Sequence, residues 1–141
     1  MTLDDLGLAA TLRRYTTDIA AKYHIEAQVH APYAEQPLPK EVETPVFRVA
    51  QEAVMNAVEH SRATVIQVTL AVSLEGLMLV IDDNGSGFDV EEALARAMAR
   101  QTTGIPNMQD RAELLGGWLR IESMRGRGSR VELAIPLDPK R

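Results

Sequence analysis

The chain has 141 residues, 45% of them apolar and 25% charged, which suits one globular domain with a sizeable core. It has no cysteine, which excludes a disulfide framework and a thiolate metal site, and its net charge of -5 argues against non-specific nucleic-acid binding. No apolar run approaches the ~20 residues of a membrane span and no basic leader opens the chain, so a cytoplasmic piece without membrane contact is expected.

The first element is a helix over Leu3–Tyr23, where Leu6, Leu8, Ala9, Leu12, Ile19 and Ala20 recur at roughly helical spacing. Ile25–His30 reads as a short strand. Ala31–Pro45 holds Pro32, Pro37, Pro39 and Pro45 and reads as a loop. Thr44 followed by Pro45 is a helix-start signal, so a second helix is expected from Pro45 to about Ser61. Thr64–Ser73 alternates apolar and polar residues as a strand does. After a turn at Glu75-Gly76, Leu77–Ile81 is a continuous apolar run, the pattern of a strand covered on both faces. Val90–Arg100 reads as helical, Gln101–Gly104 as a break, and Pro106–Leu115 as a helix stopped by Gly116-Gly117. Trp118–Ser123 and Ser129–Ile135 close the chain as two strands, with Trp118 expected in the core. There is no internal repeat. This order predicts a single domain, an α/β sandwich of two layers with a mixed, largely antiparallel sheet.

Two groups of residues carry chemistry. Glu52, Asn56 and His60 stand at i, i+4 and i+8 on an otherwise apolar helix, drifting about 40° per step and so sharing one face. Asn is a poor helix former, so its place in mid-helix asks for a job. Its carbonyl is a hard oxygen donor suited to Mg²⁺ that also holds phosphates. A Glu one turn away can orient an attacking group. A solvated surface stripe is the bland alternative. The second group, Asp83-Asn84-Gly85-Ser86-Gly87, follows the most apolar strand. Asn-Gly is also a hairpin signal, but no return strand follows directly. Glycines there let backbone approach a ligand, and an Asp at a strand end can accept a hydrogen bond from an exocyclic amine such as that of adenine. Neither the P-loop nor the Rossmann glycine pattern is present.

Together these segments resemble the histidine-kinase branch of the ATPase superfamily that also holds gyrase and the mismatch-repair ATPases. Gln51–Ser61 resembles its N box, Asp83–Phe88 its first glycine box, and Gly104–Ala112 with Leu115-Gly116-Gly117 its second. Gly126–Ser129 and a last strand ending at Pro136 resemble the close of the domain. Leu3–Leu8 resembles the junction after the phosphoacceptor helices in nitrate-sensor and desaturase-sensor kinases.

The resemblance covers nearly the whole chain and implies a Bergerat ATP-binding fold. About three helices would lie on one face, and a mobile ATP lid would span residues 88–105. It implies that Asn56 holds Mg²⁺, that Glu52 sits by the metal and γ-phosphate, and that His60 approaches the phosphates. Asp83 would bind the adenine amine, with Gly85 and Gly87 allowing close contact. Gly104 would hinge the lid and, with the following helix start, offer backbone N–H groups to phosphate. Ser129 would lie near the adenine.

Two residues depart from the pattern: Glu59, where many relatives carry Lys or Arg, and Pro106, which removes one N–H donor. The implied activity is transfer of the ATP γ-phosphoryl to a histidine on a neighbouring helical domain, and then to an aspartate of a response regulator. Neither His24 nor His30 stands in an acceptor-like setting, so the chain is expected to bind ATP without phosphorylating itself, and a monomer is compatible with the absence of the dimer-forming helices. An anti-sigma-type serine kinase and a non-catalytic ATP-binding interaction domain are the alternative readings.

Overall fold

A computed structural model describes residues 3–31, 38–87, 89–92, 94–95, 104–123 and 125–137, with the side chains of residues 3–6 and 104–106 left aside. Helix α1 spans Leu3–Tyr23 and is kinked at Gly7, whose φ of 78° and ψ of 172° are not helical. Leu8 and Leu12 bury its inner side. Its Arg13 guanidinium donates to the carbonyls of Val29 and Ala31 at 3.2 and 3.1 Å, pinning α1 to strand β1 (Glu26–His30).

Helix α2 spans Lys40–Glu59, so it begins five residues before the expected start at Pro45. The reason is local. The N–H groups of Val42 and Glu43 both donate to the Pro39 carbonyl, at 2.9 and 3.0 Å. Glu41 and Glu43 place negative charge in the first turn, where the helix dipole favours it. Pro45 then lies inside the helix and removes one N–H from the ladder close to an end that water can reach. Thr44 is not the cap. Val46, Val49, Ala50, Ala53, Val54, Ala57 and Val58 form the buried face.

Strands β2 (Val65–Val72), β3 (Gly76–Asp83), β4 (Trp118–Ser123) and β5 (Ser129–Pro136) complete a sheet of order β1-β2-β3-β5-β4. Only β1–β2 is parallel; the pairings β2–β3, β3–β5 and β4–β5 are antiparallel. Ile66, Val68 and Leu70 of β2, Leu77, Leu79 and Ile81 of β3, and Val131, Leu133 and Ile135 of β5 meet the helices in one core. The expected mixed, mostly antiparallel two-layer fold is the one observed.

The central strand is not covered alike on both faces. Met78 is partly open, whereas Val80 is buried between its register partners Thr69 and Glu132. Trp118 is 48% exposed rather than in the core. Alternation on the edge strand β4 sends Trp118, Arg120 and Glu122 to the outer face and Leu119 and Ile121 to the helices.

Helix α3 (Gly104–Leu114) starts two residues before the expected Pro106. Pro106 thus sits in its first turn, where an N–H would have no partner in the helix. The stop is the expected glycine pair: the N–H groups of Gly116 and Gly117 donate to Glu113 and Ala112 at 2.9 Å each, and Gly116 has a φ of 74°. Of the expected 90–100 helix, residues 90–92 and 94–95 are helical and begin at an Asp89 cap, whose Oδ1 accepts from the Glu92 N–H at 2.9 Å. Most of the expected lid over 88–105 lies outside the described residues. Among the described residues no helix is long and apolar enough to cross a membrane.

Candidate functional site

The site lies at the end of the sheet where β3 finishes. Asp83 is the last residue of β3 and pairs across the ladder with Ser129 of β5. Its Oδ1 accepts the Gly85 N–H at 2.7 Å. Burial pushes the Asp83 carboxyl up from the usual carboxylate range; the N–H groups of Gly85 and Ser129 pull it back, and Asp82 adds to the rise. Ser129 is buried, and its hydroxyl lies 2.7 Å from that of Ser123.

The loop after Asp83 is fastened on two sides. Asn84 Oδ1 accepts the N–H groups of Thr64 and Val65, each at 2.9 Å, and its amide donates to the Thr64 hydroxyl at 2.9 Å. The Ser86 N–H donates to the Ser61 carbonyl at 2.7 Å, and the Gly126 N–H donates to the Ser86 carbonyl. Gly85 backs against Ser61, where a Cβ would strike the Ser61 carbonyl oxygen. Its need for glycine is therefore a close approach within the protein, not only toward a ligand. Gly87 has a φ of 69°, in the left-handed region that favours glycine. These loop contacts bring the α2–β2 connection, the first glycine loop and the β4–β5 turn together around Asp83.

Asn56 on α2 joins Asp83 and Ser129 in lining one cavity, walled further by Met108 of α3, Ile121 and Val131. Its free volume of about 10 Å³ is that of a single water. Glu52, one turn before Asn56, lines a second cavity of about 320 Å³ that shares the Met108 wall. His60 is the C-cap of α2, with its N–H on the Asn56 carbonyl at 3.0 Å; its side chain is exposed and lines neither cavity. Gly104 is the first residue of α3.

Sequence reading thus named Asn56, Asp83 and Ser129, which stand together, and Glu52, which is adjacent. It passed over Asn84, Ser61 and Met108. Asn84 had a signal, its place between Asp83 and Gly85, whereas Ser61 and Met108 join the site only through tertiary contact. His24 and His30 are both exposed.

A larger cavity of about 500 Å³ lies at the other end of the sheet, by Met78, Trp118 and Pro136. It offers one carboxylate, Glu75, and no cation for a phosphate, so size does not mark the site. Among the described residues no three His, Asp or Glu side chains converge on a metal position. An Asn56 side-chain oxygen would suit a Mg²⁺ whose remaining ligands came from phosphate and water.

Residues 41–139 match the family described as histidine kinase-, DNA gyrase B- and HSP90-like ATPase. The signal transduction histidine-protein kinase/phosphatase DegS of Bacillus subtilis is 38% identical over 97% of this chain, but over only 36% of its own length. The chain thus spans little more than a third of the curated relatives it matches. The histidine kinase domain of the Erythrobacter litoralis EL346 blue-light activated kinase superposes with a TM-score of 0.75 at 25% identity, covering 92% of this chain and 61% of that one. The ATP-binding domain of PrrB from Mycobacterium tuberculosis gives 0.68 at 26% identity, covering 91% of this chain and 92% of that one. With the fold and the Asn56–Asp83–Ser129 cluster, these likenesses lead to one conclusion: the chain belongs to the histidine kinase-, DNA gyrase B- and HSP90-like ATPase family, as an ATP-binding domain of the sensor histidine kinase kind.

Proposed function

We propose that this domain binds Mg²⁺-ATP and directs its γ-phosphoryl group to a histidine on a neighbouring helical domain, from which it passes to a response-regulator aspartate. The observation that carries this reading is the convergence of Asn56, Asp83 and Ser129 on one cavity, with Glu52 a helical turn beyond. Asp83 offers a carboxylate to the adenine amine, held in place by Gly85. Asn56 supplies the oxygen that would hold Mg²⁺, and the ion when bound neutralises phosphate charge. Glu52, one helical turn from Asn56, would accept the proton of the attacking imidazole. Gly104 and the first turn of α3 present backbone N–H groups to phosphate at a helix N-terminus, and His60 stands at the far end of the same α2 stripe.

Titration of the chain with ATP in a calorimeter, with and without Mg²⁺, tests this. Mg²⁺ should tighten binding to the native chain, and Asn56→Ala should remove most of that gain, by roughly tenfold in affinity. Mg²⁺-dependence unchanged in the variant would show that Asn56 does not hold the metal.

A further inference from the structure

The cavity beside Glu52 opens on the outward side of α2, between α1 and α3. Tyr15 lines it from α1, Arg48, Glu52 and Met55 from α2, and Asn107 and Arg111 from α3. It meets the Asp83 cavity at Met108, which walls both. A nucleotide with its base at Asp83 and its metal at Asn56 would therefore carry its terminal phosphate toward this space. The α2 stripe there is acidic, with Glu52 and Glu59, and these two carboxylates are among the groups that hold the Tyr15 phenol above its usual range, after burial and Tyr23. A polyphosphate placed against them needs a cation besides the metal.

Two guanidinium groups line the cavity, and they differ. Arg48 is exposed, and its Nη1 is already committed to Gln51 Oε1 at 2.8 Å. Arg111 is half-buried, and among the described residues it makes no hydrogen bond or ion pair. A partly desolvated guanidinium with no acceptor among the described residues is suited to receive an anion, and its planar fork matches phosphoryl oxygens.

We propose that Arg111 is a further catalytic residue, whose guanidinium binds the γ-phosphoryl oxygens during transfer; this rests on the function proposed above. In the step it serves, an imidazole nitrogen lone pair of the acceptor histidine forms the N–P bond. The bond from the γ-phosphorus to the β,γ-bridging oxygen breaks, its electron pair leaves on ADP, and the imidazole proton goes to Glu52. Charge gathers on the equatorial oxygens, where Arg111 donates.

The test compares ADP with the non-hydrolysable analogue AMP-PNP, both with Mg²⁺, on the native chain and on Arg111→Met and Arg111→Lys. Arg111→Met should lose roughly tenfold or more in AMP-PNP affinity while ADP affinity stays within about twofold, and Arg111→Lys should recover part of the loss. Retained ADP binding also shows that the variant is folded. Equal losses for both nucleotides, or none for either, overturn the assignment. A native chain that binds neither nucleotide would instead overturn the functional reading on which it rests.

Discussion

Asp83 shows how one side chain can cost stability and still be kept. Burial raises its pKa in the folded domain. Ionising it is then harder in the folded than in the unfolded chain. The domain therefore loses stability as pH rises from the ordinary carboxylate range through the raised one. Asp83→Asn carries no charge and keeps an oxygen for the Gly85 N–H. Its Tm at pH 7 should exceed that of the native domain, and the difference should shrink toward about pH 3, where both side chains are neutral. A lower Tm for the variant at pH 7 would mean that the hydrogen bonds to the carboxylate outweigh its desolvation. Asp83, Asn56 and Glu52 were legible because their types conflict with their surroundings: an amide in mid-helix, and acid beside apolar runs. Trp118 misled for the complementary reason. Its size argues for burial, but edge-strand alternation decided its face.

At the scale of elements, boundaries were harder to read than the elements themselves. The Thr44-Pro45 signal is real chemistry, yet the favourable acidic turn ahead of it carried α2 back to Lys40. Prolines in the segment before it argued for a loop, and only Pro39 stands at the actual boundary. The glycine loop was legible as a loop, but what fastens it was not, because its partners Ser61, Thr64 and Val65 are about 20 or more residues away in sequence. Asn84 is the main clamp between this loop and the start of β2. Asn84→Ala should cost roughly 1–2 kcal/mol, read as a lowered midpoint in urea, and should also weaken nucleotide binding by letting Asp83 drift. Asn84→Asp, which keeps the acceptor for the Thr64 and Val65 N–H groups, should recover most of both. Full stability in Asn84→Ala would show that the loop holds its shape through Ser61 and Gly126 alone.

For the whole molecule, the layer architecture followed from the element order, but the strand order did not. The arrangement β1-β2-β3-β5-β4 places the last strand beside β3 and leaves β4 at an edge, and this depends on pairings between residues far apart in sequence. That order is what makes the site, since it sets Ser129 beside Asp83 and lets α2 and α3 close over them.

The central claim is that this end of the sheet recognises adenine, and calorimetry of the chain with ATP and with GTP, both in Mg²⁺, tests it most directly. The account predicts that ATP binds at least tenfold more tightly than GTP, whose ring carries an acceptor where adenine carries its amine, and that Asp83→Asn erases most of the preference. Equal affinity for the two nucleotides, or no binding of either at millimolar concentration, would contradict it.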